Sequence, residues 1–274
     1  MSDLDNYPEG IWEILDHKRD GFVVTDFMTE EEAGKIMAGY YAVPDEKLIK
    51  VNPGFYFYPR SFAQMDQGVA SEEITEEGYH QEAVAFEASF QENFGVDLTG
   101  RVANVLEKLG PKAHIPADQN EYGKFMPYTI RELKGKGAGQ IKVHCGHFFF
   151  NEFPTFFDRF RHFTENDHQL SFFVVLQPPT KGGELTLYGL RWDDAHERPD
   201  DSTLVRLKDN AHLDLENPKD LPLEYVSPKA GSLVIFNGGD IWHRVEDVQG
   251  DTSRFTIGGF LSLSPDRKDI YFWS

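Results

Sequence analysis

The chain has 274 residues, of which 40% are hydrophobic and 27% charged, and its formal net charge at pH 7 is −19. This length fits one large domain that can bury a substantial core. The negative charge argues against DNA, RNA or an anionic membrane surface as a partner, because each of these attracts a basic protein face. It does not exclude a small anionic substrate.

Membrane and secretion signals are missing from the sequence. No stretch approaches the roughly 18 unbroken apolar residues of a membrane span. The acidic N-terminus has neither the basic nor the apolar region of a signal peptide. The single cysteine, Cys145, leaves no internal disulfide and suits a reducing compartment. We therefore expect a cytoplasmic protein, and nothing in the sequence indicates its oligomeric state.

Up to about residue 125 the pattern is mainly helical. Thr29 and Glu32 have the spacing of a capping box at the start of a first helix. Residues 82–94 predict a second helix, because their large apolar residues fall mostly on one face. These residues are Val84, Phe86, Phe90 and Phe94. A third apolar pattern over residues 102–109 ends at Gly110-Pro111.

Short β-rich runs separated by turn residues appear from about residue 140. They are Gln140–Val143, Leu170–Leu176, Glu184–Tyr188, Ser232–Phe236 and Arg254–Ser262. Short strands with long connections are typical of a double-stranded β-helix, a jelly-roll (cupin-like) barrel whose mouth can hold a metal. We predict an α+β fold with one domain over residues 1–274. Residues 1–125 would supply helices packed on one side and parts of a substrate pocket, and residues 126–274 the barrel.

The stretch from Phe148 to Phe163 is rich in phenylalanine. It has two interpretations. It is a lid or pocket wall that is partly helical, or it contributes ordinary core aromatics, which we expect for most of these rings.

Two histidines about a hundred residues apart have the spacing of an iron site. Non-haem iron oxygenases hold Fe(II) with two histidines and one carboxylate, which leaves three positions for co-substrate and oxygen. His144 is expected at a strand end and His243 on a later strand. Arg254, on the next strand of a predicted hairpin, can bind the far carboxylate of 2-oxoglutarate through two hydrogen bonds. Thr256 would face the same side, and Gly238-Gly239 suits a tight turn before His243.

Gly146 stands two residues after His144, where an iron site of this kind normally has an aspartate. In one interpretation the glycine only supplies a turn, and another carboxylate, such as Glu184, binds the metal. In the other interpretation the missing carboxylate leaves a position that chloride fills. Charge balance favours chloride, because it carries the same single negative charge as the absent aspartate.

Several stretches along the chain match one known pattern. They are residues 129–131, 143–146, 169–173, 182–185, 236–239, 243–245, 254–261 and 269–274. Together they resemble the free-standing Fe(II)/2-oxoglutarate halogenases of the hapalindole and welwitindolinone alkaloid type. The similarity covers most of the chain and is densest at the C-terminus.

The resemblance implies where iron and halide bind. His144 and His243 would hold Fe(II), and chloride would occupy the space beside Gly146. Ser171 corresponds to a family serine behind the iron ligands. By hydrogen-bonding the oxygen ligand, this serine would favour the transfer of chlorine over that of hydroxide.

The resemblance also implies the co-substrate site and the reaction. Arg254 and Thr256 would hold the far carboxylate of 2-oxoglutarate, and Arg131 corresponds to a family arginine near the end of the co-substrate that faces the iron. With O2, a ferryl species would abstract hydrogen from an unactivated aliphatic C–H bond, and chloride would be transferred to the carbon radical. The implied enzyme is an oxidoreductase.

The substrate is expected to be a free small molecule, with no carrier protein. Candidate pocket residues are Phe57, Arg60, His147 and Phe149. Arg60 and His147 make an apolar alkaloid a poor candidate, which leaves an amino-acid derivative or a nucleotide. Two alternatives for the function are a 2-oxoglutarate-dependent hydroxylase on the same scaffold and a non-catalytic jelly-roll binding protein.

Overall fold

The structure is a computed structural model that describes residues 2–117, 121–147, 158–165, 169–195, 204–208, 211–219 and 221–274. The α-helices in these ranges are α1 (Gly10–Leu15), α2 (Glu30–Tyr41), α3 (Phe62–Ala70), α4 (Glu76–Phe94) and α5 (Leu98–Leu109). The strands are β1 (Gly21–Val24), β2 (Ile49–Asn52), β3 (Phe55–Tyr58), β4 (Lys112–His114), β5 (Thr129–Leu133), β6 (Ile141–His144), β7 (Leu170–Gln177), β8 (Leu185–Arg191), β9 (Leu204–Arg206), β10 (His212–Asp214), β11 (Leu223–Val226), β12 (Leu233–Phe236), β13 (Ile241–Val245), β14 (Arg254–Leu263) and β15 (Asp269–Trp273).

Two sheets contain most of these strands. The large sheet has the order β1-β12-β7-β14-β5-β3-β2, and it is extended by β15, which pairs with β14, and by β4, which pairs with β15. The small sheet has the order β11-β8-β13-β6. Neighbouring strands are antiparallel except β15 and β4, and β9 and β10 form a separate pair. The protein is therefore a mixed helix and sheet structure, as the sequence predicts.

The helices pack on one face of the large sheet. Ile36 of α2, Phe90 of α4 and Val105 of α5 are buried in one apolar cluster with Val174 of β7 and Ile257 of β14. A helix layer of this kind forms because each helix and the sheet present one apolar face that must be removed from water. No helix in the described ranges combines the length and apolar character needed to cross a membrane.

The other face of the large sheet is turned towards the small sheet. Along β7, Phe172 and Val174 belong to the helix-side cluster, whereas Phe173 and Val175 are buried with Leu187 of β8. This alternation is what a strand with both faces covered requires. The space between the two sheets is therefore where side chains from both can meet.

The predicted strands are confirmed to within a few residues, but two other predictions need correction. Val84 is 43% exposed, because on α4 it lies off the buried face formed by Ala83, Phe86, Phe90 and Phe94. The first third is mainly helical, as predicted, and it also contributes the short strands β1, β2 and β3 to the large sheet. Each of these strands has four residues, which is too short for a clear strand pattern in the sequence.

The predicted hairpin of β13 and β14 is also wrong. β13 pairs with β6 and β8 in the small sheet, whereas β14 pairs with β5, β7 and β15 in the large sheet. The connecting residues follow the small sheet before they cross: the Glu246 N–H donates to the Glu184 carbonyl oxygen at 2.9 Å, and Val248 forms a bridge with Gly182. Arg254 consequently approaches the two histidines from the opposite sheet.

Candidate active site

His144 and His243 lie side by side at the end of the small sheet. They are directly opposite each other in the register of β6 and β13. Their ring centroids are 4.2 Å apart, and the ring planes are inclined by 54°. Two imidazoles placed in this way can bind one metal ion.

The hydrogen bonds of the two rings fix their orientation. The Nδ1 of His144 lies 2.7 Å from the Lys142 carbonyl oxygen, and the Nδ1 of His243 lies 2.8 Å from that of Ile241. A carbonyl oxygen only accepts, so each Nδ1 carries the proton and each Nε2 has the lone pair that a metal needs. Burial, and then the adjacent His144, hold the pKa of His243 well below its ordinary value. The His243 ring therefore stays neutral, which is the metal-binding form.

Among the described residues, no third protein ligand lies beside the histidines. In the described part of the chain, no group of three His, Cys, Asp or Glu side chains could hold a metal ion. The alternative in which Glu184 completes the site is therefore not supported. Glu184 precedes β8, where Leu185 faces the cavity between the sheets.

Close backbone packing surrounds Gly146. Its N–H donates to the Gly238 carbonyl oxygen at 2.8 Å, and the His147 N–H donates to the Gly239 carbonyl oxygen at 2.8 Å. A Cβ atom on Gly146 would lie only 2.8 Å from the Gly239 Cα. The glycine is thus required by the approach of the Gly238-Gly239 turn, and a carboxylate at this position would need the backbone to move.

The large sheet contributes polar and cationic side chains to the same space. A cavity of about 90 Å³ is lined by His144 and His243 from one sheet and by residues of β5, β7 and β14 from the other. The polar residues from the large sheet are Arg131, Ser171, Arg254 and Thr256. The structure therefore brings together the six polar side chains that the sequence places at the iron and co-substrate sites.

The two arginines are cations largely removed from water, Arg254 being buried and Arg131 partly exposed. Burial lowers the pKa of Arg131 to about 10, and burial together with Arg131 lowers that of Arg254 to about 10. Both guanidinium groups remain charged at neutral pH, and no carboxylate of a described residue affects the pKa of either. Arg254 lies over the Phe173 ring, with its Cζ 5.2 Å from the centroid. Two neighbouring buried cations without a carboxylate favour the binding of an anion.

Sequence reasoning missed the residues that hold Arg131. Its Nε donates to Thr129 Oγ1 at 3.2 Å, and its Nη2 donates to Ser274 Oγ at 3.4 Å. The two hydroxyl oxygens are 2.8 Å apart. Alternation along β5 indicates Thr129 as a neighbour of Arg131, but no local pattern reveals the contribution of Ser274.

Two of the four candidate substrate residues lie on or near β3. Phe57 is opposite Arg131 in the register of β3 and β5, so it lies on the same face of the sheet, but it is not among the residues that line the cavity. Arg60 lines a different cavity of about 710 Å³, together with Tyr58 and Glu82. Tyr58 follows Phe57 and faces the helices, which separates Arg60 from the histidine pair.

Of the other two candidates, only His147 belongs to the described residues. The His147 ring lies edge-on to Trp192 with the centroids 5.9 Å apart, and it does not line the cavity. Phe149 lies outside the described residues, as do residues 148–157 of the predicted lid. At the described end of that stretch, Phe160 is buried against Phe62 and Trp273, in agreement with a core role for this ring.

Two solved structures of one dioxygenase have a similar fold. An N-substituted L-amino acid dioxygenase from Burkholderia ambifaria AMMD is 14% identical, with a TM-score of 0.58, over 97% of this chain and 90% of that chain. Its complex with α-ketoglutarate is 14% identical, with a TM-score of 0.53, over 97% and 90% of the two chains. No curated protein matches the sequence.

One protein family matches the chain over its whole length. It is described as carrier-protein-independent halogenase WelO5, and it matches residues 1–274. The family resemblance seen in the sequence is thereby confirmed, and the protein belongs to the WelO5 family of carrier-protein-independent halogenases.

Proposed function

We propose that the protein is a non-haem Fe(II)/2-oxoglutarate-dependent halogenase that chlorinates an aliphatic C–H bond of a free small molecule. The observation that carries this proposal is the pair of correctly oriented imidazoles without a third protein ligand in the described chain. His144 and His243 would bind Fe(II) through Nε2. Gly146 would leave the remaining protein position to chloride.

The large sheet would bind the co-substrate. 2-Oxoglutarate carries two carboxylates, and the cavity presents two buried guanidinium groups and the Thr256 hydroxyl. Arg254 can grip the far carboxylate in two hydrogen bonds. Arg131 is fixed by Thr129 and Ser274, and it would stabilise the negative charge of the carboxylate nearer the iron. When bound, iron, 2-oxoglutarate and O2 supply the oxidising power that removes a hydrogen atom from the substrate.

Charge and space together favour a halide over a second carboxylate. Chloride replaces the charge of the absent aspartate without a Cβ atom, which the 2.8 Å approach of the Gly239 Cα excludes in the present backbone. Ser171 lies in the same cavity, where its hydroxyl would be placed to hydrogen-bond a group held by the iron. This contact would favour chlorination of the substrate over hydroxylation.

The fold proposed around the site is a double-stranded β-helix. Its two walls would be the large and small sheets, with the metal at the open end where β6 and β13 bring the histidines together. The dioxygenase from Burkholderia ambifaria supports this fold through its similarity over 97% of the chain.

The substrate would bind next to the described cavity. About 90 Å³ is far below the ~300–1,000 Å³ of pockets for drug-sized ligands. We infer that the cavity serves the co-substrate and halide and that the organic substrate lies at its mouth. An amino-acid derivative or a nucleotide is the preferred class, and no carrier protein takes part.

The test is the product. The protein, loaded with Fe(II), is supplied with 2-oxoglutarate, O2 and candidate metabolites, with and without chloride. Halogenation gives succinate and a product with the chlorine isotope pattern, which changes to the bromine pattern when bromide replaces chloride. An oxygenated product under all conditions would identify a hydroxylase. Absence of iron-dependent succinate release with every metabolite would contradict an enzymatic role.

A further inference from the structure

Gln169 places a buried amide beside the position of the missing carboxylate. It immediately precedes β7 and is only 4% exposed. Its Nε2 lies 3.5 Å from the point that a Cβ atom on Gly146 would occupy. Gln169 is two residues before Ser171, so alternation turns both side chains to the same face. Of the two, Ser171 lines the cavity that contains the histidines.

The backbone of Gln169 is held against the same turn that packs on Gly146. A Cβ atom on Gly239 would lie 2.1 Å from the Gln169 carbonyl oxygen, so only glycine permits this contact. On its other side the turn accepts the Gly146 N–H through the Gly238 carbonyl oxygen at 2.8 Å. Main-chain packing therefore fixes the backbone of Gln169, from which the amide extends, relative to Gly146.

The amide has hydrogen-bonding capacity that the described residues do not use. Among them, none accepts from or donates to the Gln169 side chain, although the residue is almost completely removed from water. An amide N–H₂ group in this position can donate to a ligand that binds beside Gly146.

We propose that the Gln169 side-chain amide donates a hydrogen bond to the halide bound beside Gly146. This inference rests on the proposed halogenase function and adds to it a residue that selects and positions the anion. An amide N–H₂ group only donates, and an anion only accepts, so the two are complementary. A neutral water molecule in the same place would gain less from this donor, because its hydrogen bond is not assisted by a charge.

The experiment measures halide binding rather than turnover. Protein loaded with Fe(II) and 2-oxoglutarate without O2 is titrated with sodium bromide, and the change in the visible absorption of the iron complex gives the Kd. Crystals grown with bromide then locate the ion by anomalous scattering. For Gln169→Leu, which keeps the volume and loses the donor, we expect the bromide Kd to rise by about tenfold to a hundredfold.

Gln169→Glu sharpens the test. It keeps the shape but replaces the donor by a negative charge, so bromide binding should fall further than in Gln169→Leu. The Kd for 2-oxoglutarate should change little in both variants, because its proposed partners are on β5 and β14. Gln177→Leu is the matched control, since Gln177 lies at the far end of β7 and its Nε2 donates to the Ser253 carbonyl oxygen at 2.8 Å.

The outcomes separate the two proposals. If wild-type protein binds bromide at the iron and either Gln169 variant binds it equally well, the role of Gln169 is overturned while the halogenase proposal stands. Wild-type protein without any bromide response would overturn the halide site itself. If Gln169→Leu does not fold, the bromide Kd of Gln169→Glu decides.

Discussion

The two sheets supply different chemistry to the cavity between them. The small sheet presents two imidazoles, whose Nδ1 atoms are held by main-chain carbonyl oxygens. The large sheet presents two buried guanidinium groups with pKa values of about 10. The small sheet can thus bind a metal cation, and the large sheet can bind an anion.

The two sheets also differ in the hydrogen bonds that hold these side chains in place. Each histidine is oriented by the carbonyl two residues earlier on its own strand, so the orientation does not depend on which side chains surround it. Arg131 instead depends on two side-chain hydroxyl groups, one from Thr129 on its own strand and one from Ser274, 143 residues later in the chain. Substitution of neighbours should therefore disturb the anion side more than the metal side.

The largest expected effect comes from placing a negative charge on the metal side. In Gly146→Asp the carboxylate would take the position of the halide, so chlorine incorporation should be lost completely while iron binding is retained. Mass spectrometry of the product, together with succinate release, measures both. Undiminished chlorination by this variant would remove Gly146 from the halide site.

Gly146→Ala is the control for crowding. Its Cβ also meets the Gly239 Cα at 2.8 Å, and overpacking of this kind costs about 1–3 kcal/mol of stability. Both variants should have a lower Tm in thermal unfolding. If alanine retains chlorination and aspartate does not, the charge and not the backbone shift is responsible.

Removal of a cation from the large sheet should have the next largest effect. Arg254→Ala leaves the far carboxylate of 2-oxoglutarate without its partner. Loss of one member of a buried charge pair costs about 2–5 kcal/mol, so the KM for 2-oxoglutarate should rise by roughly thirtyfold or more. The assay is succinate release against 2-oxoglutarate concentration.

Arg244→Ala is a matched control for that substitution. Arg244 follows His243 on β13, but it is bound to Glu246 and Glu216, with Nε to Oε1 at 2.7 Å and Nη1 to Oε2 at 3.1 Å. Its loss removes the same charge without opening the cavity. An unchanged KM in Arg254→Ala, or an equal rise in Arg244→Ala, would contradict the proposed role of Arg254.

A third prediction concerns stability. Two neighbouring buried cations repel each other, and a dianion relieves this repulsion. At about 100 times its Kd, 2-oxoglutarate should stabilise the Fe(II)-loaded protein without O2 by about 2.7 kcal/mol. At the same concentration, 2-oxobutanoate, which lacks the far carboxylate, should stabilise it much less. Equal stabilisation by both compounds in thermal unfolding would show that the arginines do not bind the far carboxylate.

How far the sequence predicts this arrangement differs between the two sheets. The short segments around His144 and His243 and the alternation of Arg254 and Thr256 can be read from the sequence, and the structure brings all four residues to one cavity. The assignment of β13 and β14 to opposite sheets is not local, because short connections normally suggest a hairpin. The position of Arg60 could not be predicted either, because it depends on the side of the large sheet to which the chain turns after β3.

The smallest predicted effect tests the support of Arg131, the feature least visible in the sequence. Ser274→Ala removes the acceptor 3.4 Å from Arg131 Nη2 and the partner of Thr129. A single hydrogen bond contributes about 0.5–1.5 kcal/mol, so the Kd for 2-oxoglutarate should rise by about two- to tenfold. Isothermal titration without O2 measures this change. Ser264→Ala, at a hydroxyl that donates to Asp266 at 2.7 Å away from the cavity, is the control. If the anion side depends on side-chain neighbours as proposed, only Ser274→Ala weakens the binding, while the iron affinity, which depends on main-chain carbonyls, stays the same in both.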